Sequence, residues 1–428
     1  MRNFKVLLVV FLMSCMFYIL HAQLSVEKII FKEQYMKEFQ LINDTSYTRL
    51  IEFPLLGLDV SFGSNPRFNS FIKNEANNTI VNLNDYQNNI TTASHHVLSV
   101  NNTLLYYALK NNNRIYSFGV SHKLFAEFSS SKELTNLLVN GNYDYLNQTL
   151  FLDDNNFIVG FNYLSIDLGY SQRISEKSLL SSKFRFIKGV NSLGLSIQQA
   201  SLLFHDNFNT DQNPFSLDLA SEAIYFRKRD DNLLSNLGFA VDFYLDYDYT
   251  KRLNFYTKVN DLGFLVWKEN QFISEGDLNF DGLDFSLDQI LATEYHNLED
   301  TIIDVFQLNK TTSSEFRVLP FDINFGASYH LNDDINELNL NYNVQKLYKS
   351  FLHTVKFSYL RYFDKYNVSI IPSYSINKFS YSNFSICLNK KWNKQFISNI
   401  YITNVANAFS IDSDQEYLGF GSQLYILF

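Results

Sequence analysis

The feature that most constrains the fold is a strict alternation of apolar and polar residues over 238–249. Because successive side chains of a β-strand point to opposite faces, this pattern predicts an amphipathic strand. We expect Phe243 on the apolar face and Tyr244 on a polar, water-filled face. The apolar face consists of Phe239, Val241, Phe243, Leu245, Tyr247 and Tyr249.

Similar segments recur along most of the chain and predict roughly 16 strands, each near the ~9–11 residues that cross a bilayer. They include separate segments at 179–190, 193–204 and 217–226. Aromatic residues reach 17%, with 41 Phe and 28 Tyr, as is typical of barrels with aromatic girdles. Beyond the N-terminus no apolar run approaches the ~20 residues of a spanning helix. These observations predict an all-β fold, a transmembrane antiparallel up-and-down β-barrel.

The lengths of the gaps between the segments support this prediction. Four long gaps, at 65–102, 129–156, 268–319 and 404–417, all fall on the same side of the predicted sheet. Outer-membrane barrels have short periplasmic turns and long extracellular loops, whereas a soluble all-β protein has no reason to sort its loops. We therefore expect long extracellular loops and a location in the bacterial outer membrane.

The N-terminus has the pattern of a secretory signal peptide over 1–22. Arg2 and Lys5 precede an apolar run, and Ala22 supplies the small residue for cleavage. An alternative is a lipoprotein signal with Cys15 as the lipid anchor. Residues 23–55 mix charges and aromatics without a period, which predicts a hatch in the lumen or a periplasmic extension. The barrel itself is expected over 56–428, ending on Phe428, a terminal aromatic that barrel-assembly machinery commonly reads.

Several short segments, in this order, resemble a Bacteroidota family of outer-membrane β-barrels of unknown function. They are SFGVSHKLFAEFS (117–129), ELTNLLVNGN (133–142), LGYSQRI (168–174), KFRFIKGVNSL (183–193), NDLGFLVW (260–267) and FDGLDF (280–285). That family is distantly similar to FadL-type fatty-acid channels and to the PorV-type barrel that escorts cargo in type IX secretion. The resemblance implies about 14 strands (range 12–16). It implies no reaction, ligand or functional residue.

Two functions follow as hypotheses. The first is a FadL-like, porin-like channel for a hydrophobic or amphipathic solute. The second is a non-transporting barrel that acts as a docking or shuttle partner in protein secretion or surface attachment. Expected partners are outer-membrane lipid, the assembly machinery and a surface or secretion protein, whereas a net charge of −9 disfavours nucleic acid. No Gly-x-Ser-x-Gly elbow or cofactor motif is present, so we expect no enzyme, catalytic residue or cofactor.

One motif resembles a metal site. Asp277, Asn279 and Asp281 precede Gly282, and Asp288 follows at the last position of an EF-hand-like calcium loop. Asp288 replaces the usual bidentate Glu and reaches the ion less well. We therefore interpret the motif as an Asn/Asp/Gly-rich turn in an extracellular loop, with calcium binding as the weaker alternative. The pair His95 and His96 lacks a further ligand at suitable spacing and is expected in a polar loop.

We predict that millimolar calcium shifts the melting temperature of the wild-type protein no more than it shifts that of Asp281→Ala. A real site would stabilise the fold by ~2.7 kcal/mol at a calcium concentration a hundredfold above Kd. Thermal unfolding of both proteins with calcium or with a chelator measures this. A calcium-dependent stabilisation of several degrees that disappears in Asp281→Ala would contradict the prediction.

Overall fold

The computed structural model describes residues 41, 47–53, 57–66, 71–75, 78–204, 215–219, 223–227, 235–273, 276–280, 309–332, 336–381, 383–393, 395–405 and 417–428. The predicted signal peptide lies outside these residues, as does most of the predicted hatch segment.

The described residues form fourteen antiparallel strands of one closed sheet. Four strands are interrupted, and their pieces lie end to end along the same neighbours. In chain order the strands are β1 (Arg49–Glu52 and Gly57–Asn65), β2 (Ala93–Asn111), β3 (Arg114–Ser131), β4 (Thr149–Ser175), β5 (Ser178–Phe204), β6 (Phe215–Leu219, Ala223–Arg227 and Leu237–Asp248), β7 (Leu253–Ile273 and Gly276–Phe280), β8 (Asn309–Val318 and Asp322–Asn332), β9 (Asn336–Lys346), β10 (Phe351–Phe363), β11 (Val368–Asn377), β12 (Asn383–Lys391), β13 (Phe396–Thr403) and β14 (Tyr417–Leu427).

The sheet closes on itself through its first strand. Leu58 of β1 pairs with Asn102 of β2 on one side and with Ser422 of β14 on the other. Each strand pairs with its neighbours in chain order, and every pairing is antiparallel, so the topology is up-and-down. The predicted fold class is therefore confirmed, with the strand number that the family resemblance implies.

The sequence alone predicts two strands too many because it divides two strands at their irregularities. The segments predicted at 179–190 and 193–204 form the single strand β5, which continues through a bulge where the register shifts from Asn162–Asn191 to Tyr163–Gly189. The segment at 217–226 belongs to β6, whose successive pieces all pair with β5. In the sequence alone, a run of polar residues inside a long strand cannot be distinguished from a turn between two strands.

The long connections gather at one end of the barrel, as predicted. Among the residues described there, that end carries two α-helices, α1 (Leu83–Asn88) and α2 (Lys132–Asn140). Ser131 caps α2, since its Oγ accepts a hydrogen bond of 3.2 Å from the amide of Leu134. No helix in the described ranges is long and apolar enough to cross a membrane.

Several strands are longer than the sequence predicts. The hairpin of β4 and β5 has 27 residues in each strand. β2 begins at Ala93, inside the long gap predicted at 65–102. β1 begins at Arg49, inside the segment predicted as a hatch. Residues between the alternating core segments are too polar to predict as strand, yet they continue the ladder because their neighbours supply backbone partners.

The outward face of the barrel is apolar over most of its circumference. Phe243 is 40% exposed on this face, whereas the adjacent Tyr244 points inward and is fully buried. Isolated exposed apolar residues are ordinary, but a continuous band of them around a closed sheet is typical of outer-membrane-type barrels. The band includes Leu105, Phe118, Leu164, Ile166, Leu168, Phe184, Phe186, Phe255, Leu262, Phe325, Leu338, Leu340, Phe357, Ile376, Phe384 and Phe420.

We predict that Phe243→Arg lowers the free energy of unfolding in lipid vesicles by about 2–4 kcal/mol, because a guanidinium near the midplane of a bilayer loses hydration. The matched control is Asn343→Arg, an inward substitution into a polar cavity. We expect the control to change stability by less than half as much. Urea titration of both refolded variants measures this, and equal losses would contradict the assignment of the faces.

Candidate functional site

Five charged side chains from β3 to β7 meet inside the barrel. We call Lys123, Asp167, Arg185, Asp242 and Asp261 the lumen ion cluster. All five side chains are mostly buried; for Arg185 and Asp242 the exposed fractions of the whole residues are 8% and 2%. Buried charges are stable only when they are paired and hydrogen-bonded.

The strand register places these residues together. Asp167 of β4 pairs directly with Arg185 of β5. β6 and β7 pair with a register shift between Val241 and Phe243, and this bulge turns Asp261 inward. Asp261 has a φ of +58°, a left-handed conformation that non-glycine residues rarely adopt. Such a conformation persists where surrounding contacts hold it, as the ion cluster does here.

Arg185 is the centre of the cluster. Its Nη2 donates to Asp242 Oδ2 at 2.5 Å, and its Nη1 donates to Asp261 Oδ1. Lys123 Nζ donates to the other carboxylate oxygen of Asp261. The backbone amide of Asp261 also donates to Asp242 Oδ1 at 2.8 Å. Arg185 thus joins carboxylates from β6 and β7, and Lys123 extends the contact to β3.

Beside the ion cluster lies an internal cavity of 410 Å³, which we call the upper cavity. A second cavity of 280 Å³, the lower cavity, shares Asn343, Gln345 and Tyr417 with it. The lining of both cavities is rich in amides and hydroxyls. Their polar lining includes Ser61, Ser99, Asn101, Asn324, Asn339, Asn341, Asn343, Gln345, Thr354, Ser358, Thr403 and Tyr417.

The connection between β9 and β10, residues 347–350, crosses the lumen at the end with the long loops. The amide of Tyr348 donates to Glu127 Oε2 of β3 at 2.6 Å. Lys349 Nζ donates to the carbonyl of Asp154 in β4 at 2.7 Å. β3 lies opposite β10 in a ring of fourteen strands, so this loop reaches the far wall.

A second loop completes this closure. Lys378 Nζ, between β11 and β12, donates to Ser350 Oγ at 3.1 Å. Phe379 is 3% exposed, and its ring lies 5.3 Å from that of His95. Partial burial lowers the pKa of the Lys349 and Lys378 ammonium groups, because desolvation disfavours their charged forms. We call residues 347–350 and 378–381 the cap.

The opposite end of the lumen also contains an inward cluster. Leu41 is fully buried among inward residues of β1, β2, β3, β13 and β14. Lys110 Nζ donates to its carbonyl oxygen at 2.5 Å. Leu41 is the one described residue of the segment before Tyr47, and it lies inside the barrel end.

Two sequence-based expectations can be placed in the structure. Tyr244 lies on the inward face as predicted, but this part of the face is packed rather than wet, since its ring stacks on Tyr256 at 6.5 Å. His95 and His96 lie in β2 rather than in a polar loop. His95 bonds Glu127 at 2.7 Å, and His96 bonds Ser64 and Tyr86.

Only part of the candidate calcium motif lies among the described residues. The backbones of Asp277 and Asn279 form the last piece of β7, paired with Phe215–Leu219 of β6. Asp281 and Asp288 lie outside the described residues, so the calcium interpretation stays a prediction. In the described ranges, no group of three or more His, Cys, Asp or Glu residues could hold a metal ion.

Sequence reasoning missed the lumen ion cluster, although one signal was available. Lys183 and Arg185 alternate with the outward Phe184 and Phe186, so inward charges were visible in β5. Asp261 gave no such signal, because the bulge moves it out of the period of its strand.

The chain belongs to a family of unknown function (DUF5723), whose model matches residues 43–402. No curated protein sequence matches the chain significantly.

Solved structures of similar architecture include hydrocarbon channels. A TodX deltaS2S3 mutant monoaromatic hydrocarbon channel is 9% identical, with a TM-score of 0.47 and coverage of 91% of this chain and 92% of that chain. The toluene transporter TodX of Pseudomonas putida is 8% identical, with a TM-score of 0.43 and coverage of 91% and 90%. A Pseudomonas aeruginosa FadL homologue is 8% identical, with a TM-score of 0.42 and coverage of 89% of each chain. No substrate follows from similarity at this level.

We predict that Arg185→Met destabilises the barrel by about 3–5 kcal/mol, because it leaves the buried Asp242 carboxylate without its cation. The control is Arg361→Ala on the exposed face of β10, where we expect a loss of at most ~1 kcal/mol. Urea unfolding of both variants in vesicles measures the difference. Similar losses in the two variants would show that the cluster is not a stabilising unit.

Proposed function

We propose that the protein is a gated outer-membrane channel for a small amphipathic solute. The observation that carries this proposal is the pair of joined polar cavities, enclosed by an apolar-faced barrel and lying beneath the cap. A barrel that served only as an anchor would have no need of such internal space.

The outer face and the sorted loops support the location. The apolar band suits contact with lipid, so outer-membrane lipid is the proposed surrounding partner. The end with the cap and helices is then extracellular, and the termini lie at the periplasmic end. Insertion by the barrel-assembly machinery follows from this location as part of the same proposal.

The lining favours an amphipathic solute over a purely hydrophobic one. Lys123, Asp261 and Asp322 line the upper cavity together with the rings of Phe125, Phe321 and Tyr401. A hydrocarbon in the cavity would remove water from these polar groups without forming hydrogen bonds to them, which costs free energy. A solute with both polar and apolar faces can use both kinds of lining.

The cap supplies the proposed gate. Its cross-lumen contacts are a few hydrogen bonds and aromatic contacts, such as Tyr348 with Phe157 at 5.5 Å. Gly63 of β1 leaves room for Phe379, since a Cβ there would lie 2.7 Å from that ring. Opening of the proposed gate breaks these contacts and moves Leu347 and Phe379 out of the buried apolar cluster to which they belong.

A second candidate function is docking in protein secretion or surface attachment. The cap itself favours it, because a closed extracellular end presents a fixed surface of loops to a partner protein. The two functions differ in conductance: a docking barrel has no need to open.

We predict that the double variant Tyr348→Ala with Phe379→Ala has a several-fold higher single-channel conductance than the wild type, because both aromatic contacts of the cap are lost. The matched control is Phe325→Ala, which removes an aromatic from the outward face of β8, away from the cap. Planar-bilayer recording, with liposome swelling as a second readout, measures this. If wild type and double variant are equally non-conducting while all three fold and fractionate with the outer membrane, the channel proposal fails and docking gains support.

A further inference from the structure

The inward face of β9 carries a ladder of amide side chains. Asn339, Asn341, Asn343 and Gln345 recur at every second residue and point into the lumen. The last two line both cavities, so the ladder forms a continuous neutral polar wall between them. A strand with only polar, uncharged inward residues over this length suits hydrogen bonding to a ligand without net charge.

Most charges of the upper cavity are already engaged by neighbours. Lys123 is bound to Asp261 within the ion cluster. Asp322 accepts hydrogen bonds from the amides of Asn260 and Asn324 at 2.9 and 2.6 Å. Asp59 on the opposite wall adds one further carboxylate to the lining. An anionic ligand in the upper cavity therefore finds no unpaired cation among the described residues that line it, whereas Lys258 and Lys356 line the lower cavity.

Several polar groups of the lining have no protein partner. Asn101 Oδ1 and Thr403 Oγ1 are buried and make no hydrogen bond to the described residues, and both residues line the upper cavity. No side-chain hydrogen bond within the described part of the chain involves Asn343 or Gln345. Buried polar groups in folded proteins are almost always satisfied, so unmet groups around one cavity point to a ligand that satisfies them.

The apolar part of the lining is aromatic. Phe125, Phe321 and Tyr401 contribute to the wall of the upper cavity, and Tyr417 lies between the two cavities. Aromatic faces next to amides and hydroxyls match a compound with C–H faces edged by hydroxyl groups. The 410 Å³ volume lies within the roughly 300–1,000 Å³ of small-molecule sites.

We infer that the upper cavity binds a neutral, polyhydroxylated solute of the size of a mono- or disaccharide, held by Asn343 and Gln345. This inference rests on the proposed channel and names its solute class. The ladder of β9 provides amide donors and acceptors along the path, while the aromatic side chains cover the C–H faces of the solute.

The test is calorimetric titration of the folded, detergent-solubilised protein with glucose and maltose as neutral probes. Gluconate and glucosamine, of similar size but charged, complete the panel. We expect heat of binding for at least one neutral sugar, and at least a tenfold weaker affinity in Gln345→Leu and in Asn343→Ser. The control Asn389→Leu removes an inward amide of β12 outside both cavities and should bind like the wild type.

Three outcomes would overturn the inference: no binding of either neutral sugar at millimolar concentration, tighter binding of a charged probe, or unchanged affinity in both ladder variants. Asn343→Ser retains a hydroxyl and little bulk, and heat-modifiable gel mobility confirms that it folds. Because binding is measured without a bilayer, it is independent of conductance. Sugar binding without conductance would reject the channel and keep the site, whereas conductance without sugar binding would do the reverse.

Discussion

The structure depends on closure of the sheet. A β-strand leaves half of its backbone hydrogen-bonding groups to a neighbour, and in an apolar surrounding an unpaired edge would lose several kcal/mol for each group. β1 removes both edges by pairing with β2 and β14 at once. Once the ring is closed, the alternation of side chains divides the chain into an outward face and an inward face. The apolar band, the cavities and the ion cluster all follow from that division.

Within the closed ring, the two sides of the barrel carry different inward side chains. The side of β3 to β7 is filled by the ion cluster and large aromatic side chains, whereas β9 to β14 contribute mainly small polar ones. The space therefore lies to one side of the lumen, between a rigid charged wall and an amide-rich wall. Since Arg185 joins carboxylates from two neighbouring strands, it holds the filled side together, while the other side lines the cavities.

The sequence predicts the ring well and its interior poorly, for a physical reason. Alternation is a local property, so β6 and its outward Phe243 could be identified from neighbouring residues alone. Asp261 could not, since its inward position depends on a bulge produced by the pairing of β6 with β7. The cap was equally hidden, because Tyr348 and Glu127 are far apart in the chain and meet only after closure. Even the wet face predicted at Tyr244 is in fact packed, because Tyr256 of the next strand fills the space.

The length of the hairpin formed by β4 and β5 has a consequence for the cell surface. At about 3.3 Å per residue, a strand of 27 residues extends ~90 Å along its own axis, whereas the whole bilayer with its headgroups is ~40–45 Å thick. In the proposed outer-membrane placement, and even at the tilt of barrel strands, part of this hairpin rises beyond the headgroups as a ribbon on one side of the barrel. The extracellular end is then asymmetric, with a front and a back when viewed from outside.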